Sequence, residues 1–490
     1  MDETKKTSRI ALKTKSLIRV VPFLSIFCSM CSAEDSLFEL MTHLDTKLSF
    51  RFENGSRGKF DLPEIMGGGV AAADFDGDQK LDLFFCQGGP IDRTVTKIDA
   101  PCQWYRNLGH MKFQEVKAQA TGPAYAMGAW PADFDEDGKT DLFVTGWRGW
   151  KLYRNRGGWD FEDVSVQLGK DVLKWSTAAV WADFNHDQHL DLFVGGYIDY
   201  DSEKSPYCAA PDGLRDYCGP EDFDAVPSRL YFGDGKGHFK DVTKDVGFSQ
   251  NSGRSLGAIA GDFNRDGRLD LFIAVDGNAN QLYIQNKDGS FHDRALESGV
   301  AFSDGGQALA SMGVTVAERD GGSLDLIVTN FYDRGSVLFQ NQGDGLFQDI
   351  SKQNGLRQAT LKCNGFGVVC DDFDSDGQMD IVQVNGHVLS RERLGIPLKM
   401  RPSMLTIGLD GKYQERSSKI FPASDLMMQG RGLIKADFDE DGRIDLLITS
   451  LDGEPILLKN IAKRRSTEIK KKNRVFGGSY LSGVVNDQSQ

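Results

Sequence analysis

Asp133, Asp135, Asp137 and Asp141 occupy positions 1, 3, 5 and 9 of a nine-residue stretch, Asp133-Phe134-Asp135-Glu136-Asp137-Gly138-Lys139-Thr140-Asp141. Carboxylates at that spacing can converge on one point. The carbonyl of Lys139 at position 7 can join them, and Gly138 permits the tight turn that the convergence needs. An all-oxygen cage of this kind suits a hard cation that takes six to eight ligands, which favours Ca²⁺ over Mg²⁺. An EF-hand starts in the same way but requires a bidentate Glu at position 12 and helices on both sides. Here position 12 is Val144, and residues 128–132 and 141–145 both carry a strand pattern. The stretch is expected to be a calcium loop at the tip of a β-hairpin.

The loop recurs five more times. The expected ligand positions are Asp74, Asp76, Asp78, Lys80 and Asp82 in the first copy, and Asp133, Asp135, Asp137, Lys139 and Asp141 in the second. The third has Asp183, Asn185, Asp187, His189 and Asp191, and the fourth Asp262, Asn264, Asp266, Arg268 and Asp270. The last two have Asp372, Asp374, Asp376, Gln378 and Asp380, then Asp437, Asp439, Asp441, Arg443 and Asp445. Position 7 offers only its carbonyl, so His189 and the non-ligand His186 are expected as spacers. Six cages predict about six structural Ca²⁺ ions. Asn185 and Asn264 keep an oxygen but drop a charge, so their sites are expected to be weaker. Each cage saturates its metal internally, which points to a structural role rather than catalysis. A seventh, degenerate copy spans residues 318–326. Counting back from Asp325 places Ala317, Arg319 and Gly321 at positions 1, 3 and 5, and the arginine should repel an ion.

The elements that position these loops follow from the repeat. Each copy has a strand-like piece before the loop and one after it, then two more, as in residues 152–155 and 161–164 after the second loop. Four antiparallel strands per unit and seven units predict an all-β, seven-bladed β-propeller. The seventh repeat supplies three pieces and no fourth. Residues 59–62, Lys-Phe-Asp-Leu, resemble the fourth piece of the first repeat and are expected to close the ring as an N-terminal strand. Trp147 and Trp150 flank a Gly-containing turn and are candidates to face a ligand, as is His387 after an outgoing strand.

Formal net charge is −14, and the six loops place 22 carboxylates at ligand positions, so most of the acidity belongs to the expected metal sites. The acidic balance argues against a nucleic-acid partner. A basic stretch through Arg19, a short apolar run at 20–30 and small residues before Glu34 give residues 1–33 the pattern of a secretory signal peptide. That run is about half of the ~20 residues a membrane span needs. Residues 34–47 are expected to be a linker, 48–462 the propeller and 463–490 a basic tail. Export fits the six remaining cysteines, for which Cys208–Cys218, Cys86–Cys102 and Cys363–Cys370 are the expected pairs, the last requiring a chain reversal at Asn364-Gly365.

The loops resemble FG-GAP/VCBS repeats, and the chain is similar in particular to the ASPIC/UnbV (cartilage acidic protein-like) group. That resemblance is carried by Phe52-Glu53-Asn54-Gly55 with Leu62-Pro63-Glu64-Ile65-Met66-Gly67, and by Tyr217-Cys218-Gly219-Pro220. Gly365-Phe366-Gly367-Val368-Val369 with Asn385-Gly386-His387, and Gly477-Gly478-Ser479-Tyr480-Leu481-Ser482, carry it further. It implies a secreted or extracellular protein (periplasmic or at the cell surface if bacterial) whose C-terminal module is shortened here. The leading expectation is a monomeric, non-catalytic binding or adhesion scaffold for an extracellular protein or glycan. The alternative is a propeller hydrolase or lyase that acts on polysaccharide.

Overall fold

A computed structural model describes residues 36–92, 101–210, 213–248, 253–319, 321–389, 391, 395–422, 426–463 and, for the backbone alone, 483–484. The expected signal peptide, Asp320 and most of the basic tail, including residues 477–482, lie outside the described residues.

Seven sheets with four antiparallel strands each form the blades of a β-propeller, and a short fifth strand adds to blades 1 and 4. Blade 1 runs Val70–Ala73, Asp82–Phe85, Gln103–Asn107 and Phe113–Val116, and blade 2 runs Tyr125–Ala132, Asp141–Trp147, Lys151–Asn155 and Phe161–Asp163. Blade 3 is Ser176–Ala182, Asp191–Gly196, Arg229–Gly233 and Phe239–Asp241; blade 4 is Ser255–Gly261, Asp270–Asn278, Gln281–Gln285 and Phe291–Asp293. Blade 5 has Val314–Arg319, Ser323–Val328, Val337–Gly343 and Leu346–Asp349, and blade 6 Gly365–Asp371, Asp380–Asn385, Ser403–Ile407 and Tyr413–Glu415. The first strands sit innermost and pack against the first strands of neighbouring blades. Outside blade 5 they are almost wholly buried, hence their Ala/Gly/Val-rich sequences, whereas each fourth strand contributes little more than one aromatic to the core.

Blade 7 takes Gly430–Ala436, Asp445–Ser450 and Ile456–Asn460 from the end of the chain and its fourth strand from the beginning. That strand is Phe38–Met41, paired antiparallel from Phe38↔Asn460 to Met41↔Leu457. This corrects the expectation for residues 59–62, and it moves the propeller's start into the stretch expected to be a linker. Residues 62–65 instead form a 3₁₀ turn, because Asp61 and Glu64 make a reciprocal capping box and Pro63 fixes the first turn. The turn lies where the second strands end, on the face opposite the Asp-rich loops. Tyr200 donates to Asp61 Oδ1 at 2.7 Å and Tyr125 donates to the Pro63 carbonyl at 2.6 Å. Asp216, in the hairpin inserted in blade 3, pairs with Arg391 in the insertion of blade 6. At the axis, the backbone of Gly483–Val484 pairs in parallel with Ala71 and Ala72.

Cys208–Cys218 is bridged and closes the base of the blade 3 hairpin. The other two expected disulfides are not formed. Cys86 and Cys102 extend the Phe85↔Gln103 register and are buried together, but the Cys102 sulfur accepts the Gln87 amide at 3.3 Å. Burial pushes the Cys102 thiol up to about 12. Cys370 lies inside the core between blades 5 and 6, whereas Cys363 sits beside Ser403 Oγ before the strand begins. The strand between them keeps the sulfurs apart.

Candidate metal centres

In all six intact loops the position-9 Asp is fixed by the fold before any ion is considered. Asp141 is fully buried, and its Oδ2 accepts the Phe134 amide at 3.1 Å while Oδ1 accepts the Asn155 amide at 2.7 Å. Asp82, Asp191, Asp270, Asp380 and Asp445 each likewise accept the amide of the loop's second residue. Burial, with neighbouring carboxylates, raises Asp82, Asp141 and Asp380 to about 8. Asp191, Asp270 and Asp445 rise to about 7, again chiefly through burial.

Position 1 is held by the turn itself. The amides of Asp137 and Gly138 donate to Asp133 Oδ1 and Oδ2 at 3.1 and 2.8 Å. The backbone enters the left-handed region at both Glu136 and Gly138 to aim these amides. Sequence reasoning found the glycine but missed position 4, where Glu136, His186, Arg265, Ser375 and Glu440 are all left-handed without being glycine. Strain of about 1 kcal/mol or more at each such residue is tolerated because the surrounding amide–carboxylate bonds over-determine the turn. At position 5, Asp78, Asp137, Asp187, Asp266, Asp376 and Asp441 each accept the amide of position 7.

Three carboxylate oxygens come within 4.8 Å of one another in Asp74/Asp76/Asp78, Asp133/Asp135/Asp141, Asp372/Asp374/Asp380 and Asp437/Asp439/Asp445. Loops three and four bring Asp183, Asp187, Asp262 and Asp266 together with Asn185 and Asn264, whose side-chain amides bind Asp187 and Asp266 at 2.9 Å. Asp135 Oδ1 and Asp439 Oδ1 are buried and have no hydrogen-bond partner among the described residues. Such orphaned oxygens cost free energy unless something fills the cage. A carboxylate oxygen that accepts one amide also retains a lone pair. The donor set is hard, anionic and all-oxygen, and it fits Ca²⁺.

The degenerate loop behaves differently. Its strands pair as far as Arg319↔Ser323, which leaves a tight turn in place of a nine-residue loop. Arg319 Nε pairs with Asp325 Oδ2 at 2.8 Å, so a guanidinium stands where the other blades have a cage. The hairpin therefore rests on this pair as well as on Leu324 and Leu326. His189 also does more than expected, because its ring meets Glu136 of the preceding loop at 2.5 Å.

Between blades runs a set of clasps that the sequence reading did not assign. The side-chain amide of Asn155 donates to the Phe75 carbonyl, the second residue of the blade 1 loop, at 2.8 Å. Asn107 reaches Phe438, Gln285 reaches Phe184, Asn341 reaches Phe263 and Asn460 reaches Phe373 in the same way. The signal lay in the recurrent Asn that ends the third strand. Trp147 and Trp150 are buried and pack on Trp175, Tyr200, Phe143 and Tyr231 rather than facing a ligand. His387 is buried beside Phe331 and Tyr332, and burial lowers it to about 4.

With the blades and their loops in place, the comparisons with known proteins agree. The FG-GAP-like repeat family matches residues 133–194, 212–273 and 262–321. Cartilage acidic protein 1 of Homo sapiens is 25% identical over 388 residues, covering 67% of this chain and 58% of the relative. FG-GAP-like repeats in a β-propeller and the likeness to cartilage acidic protein 1 thus point the same way. The match to the Mus musculus protein of the same name is 25% identical over 173 residues, or 34% of this chain and 26% of the relative. The aligned part of this propeller therefore spans less than two thirds of either relative's length. Among solved structures, a lectin of Agrocybe aegerita that recognises non-reducing terminal N-acetylglucosamine is similar at 17% identity and TM-score 0.43, covering 79% of this chain and 87% of the lectin. The BP39L lectin from Burkholderia pseudomallei is similar at 12% identity and TM-score 0.49, covering 81% and 97%.

Proposed function

We propose that this chain is an extracellular, calcium-stabilised propeller that acts as a non-catalytic binding scaffold for protein or glycan ligands. The observation that carries the calcium assignment is the pair of buried, unpartnered oxygens, Asp135 Oδ1 and Asp439 Oδ1, inside clusters of three carboxylates. The ligands are Asp, or Asn at position 3 of loops three and four, at positions 1, 3, 5 and 9, with the position 7 carbonyl. A bound Ca²⁺ would neutralise carboxylates that otherwise repel one another and would lock each hairpin. The scaffold role is supported by where the upshifted carboxylates lie. The intact-loop carboxylates raised to about 7 or 8 are held by backbone amides at the cages, so they are committed to the loops rather than available to a substrate. Extracellular placement is supported by the Cys208–Cys218 bridge and by the resemblance to cartilage acidic protein 1. Among the described residues no helix is long and apolar enough to cross a membrane.

Native mass spectrometry should count about six ions per chain, and fewer than four would overturn the assignment. At tenfold excess over its dissociation constant each site adds roughly 1.4 kcal/mol, so chelation should lower the melting temperature visibly. A glycan and protein array read with and without EGTA tests the scaffold role. Turnover of any arrayed polysaccharide would favour the hydrolase or lyase reading instead.

A further inference from the structure

We propose that Arg106, Arg154 and Lys459 are tethered counter-cations that set the charge, and hence the calcium affinity, of the cages in blades 1, 2 and 7. The inference rests on the calcium reading above. All three residues occupy one structural position, the third-strand residue immediately before the clasping Asn. All three engage the position 3 carboxylate. Arg106 Nε lies 2.6 Å from Asp76 Oδ2, Arg154 Nε lies 2.5 Å from Asp135 Oδ2, and Lys459 Nζ pairs with Asp439 Oδ2. Arg106 and Lys459 also reach position 5, at 3.1 Å from Asp78 and 3.8 Å from Asp441. In blades 2 and 7 the cation takes one oxygen of the position 3 carboxylate, and the other oxygen is the buried, unpartnered one.

Blades 3 and 4 solve the same problem differently. Their third-strand residue at this position is Phe232 or Ile284, and their position 3 residue is Asn185 or Asn264. An Asp with a cation and an Asn with an apolar residue leave the same net charge at position 3. Counting carboxylates alone ranks blades 3 and 4 as the weaker sites; counting the third-strand cations removes that difference at position 3, while the position 7 cations Lys80, Lys139, Arg268 and Arg443 pair with position 5 in blades 1, 2, 4 and 7. Blade 5 carries the arrangement to its limit, since Arg319 at position 3 pairs directly with Asp325. A tethered cation therefore opposes Ca²⁺ electrostatically while it supports the metal-free loop.

The test uses the full chain with Arg106→Met, Arg154→Met and Lys459→Met combined, titrated with Ca²⁺ by calorimetry at low salt. Ion pairs whose cations are 27–41% exposed set the scale, so three sites should tighten by about three- to fivefold each. The same variant should melt at a lower temperature than wild type in EGTA, a readout that needs no metal. Arg154→Lys keeps the charge and should bind as wild type does, which separates charge from shape should the triple variant fail to fold. Unchanged or weaker binding in the triple variant, with about six ions on the wild type, would overturn this proposal alone. A tightened Arg154→Lys site would also overturn it. A wild-type protein that takes up no Ca²⁺ would overturn the calcium reading and this one with it.

Discussion

Replacing Phe38 by Ala tests how the ring closes. Phe38 is fully buried, and its ring lies 5.9 Å from Phe373 and 5.7 Å from Phe421, so it fills the gap between blades 6 and 7. Truncating a buried Phe costs roughly 3–5 kcal/mol. The strand it anchors has four cross-strand partners, and loosening it exposes Ile456–Asn460 as an edge. Phe60 makes a sharp control. It is only half-buried, with its ring 5.2 Å from Tyr217, so Phe60→Ala should cost no more than about 1.5 kcal/mol. With a urea slope near 3 kcal/mol/M or somewhat above for a chain of this size, Phe38→Ala should lower the midpoint by about 1 M. The seven tryptophans all fall in blades 1 to 3, so their fluorescence reports the far side of the seam. Far-UV circular dichroism must trace the same transition if the ring opens as one unit. A Phe38→Ala midpoint equal to wild type, with a larger loss for Phe60→Ala, would refute closure by residues 38–41.

Three further outcomes follow from particular contacts. Asn155→Ala removes donors to the Phe75 and Thr140 carbonyls at 2.8 and 2.9 Å, so denaturation should show a loss of about 2–3 kcal/mol and calorimetry a weaker blade 1 site. His387, lowered by burial from 6.5 to about 4, is held neutral in the fold; its stabilising contribution is complete above pH 6.5 and is lost as pH falls towards 4. That contribution is roughly 3 kcal/mol, and His387→Asn, which retains an acceptor for the Leu389 amide, should flatten the stability profile over that window in urea melts. Asp141→Asn should remove one ion from the native mass spectrum, whereas Asp325→Asn should leave the count unchanged and cost about 1 kcal/mol by releasing Arg319.

Much of this architecture was legible because the cage is a local object. Carboxylates at positions 1, 3, 5 and 9 lie within nine residues, and the buried strands on either side carry unbroken apolar runs. Blade count and loop position followed directly. The closing strand was not legible, because an outermost strand buries only one aromatic. Phe38-Glu39-Leu40-Met41 and Lys59-Phe60-Asp61-Leu62 therefore carry nearly the same pattern. The discriminating signal was Asp61-Leu62-Pro63-Glu64, a capping box with proline in its first turn, which specifies a turn rather than a strand. The Asp216–Arg391 pair had no local signal, since 175 residues separate its partners.

The loop carboxylates and the closure of the ring belong to one network. Asn107 of blade 1 binds the Phe438 carbonyl within the blade 7 loop, and Phe438 in turn donates its amide to the buried Asp445. Thr449 at the far end of the same strand donates to the Gly68 carbonyl of blade 1. The seam between the last and first blades is thus held at both ends of one strand, on one side through a cage residue. Thr145 and Thr329 repeat the second contact between blades 2 and 3 and between blades 5 and 6. An ion that fixes the carboxylates of one loop also fixes the carbonyl that the next blade grips. Filling a cage should therefore stiffen an interface as well as a hairpin. Blade 5 lacks a cage and is gripped by no such Asn from blade 6, whose third strand ends at Ile407. There the ring relies on Thr329, which donates to the Phe366 carbonyl at 2.7 Å, and on the packing of Ile327 and Leu338 against Cys370 and Leu405.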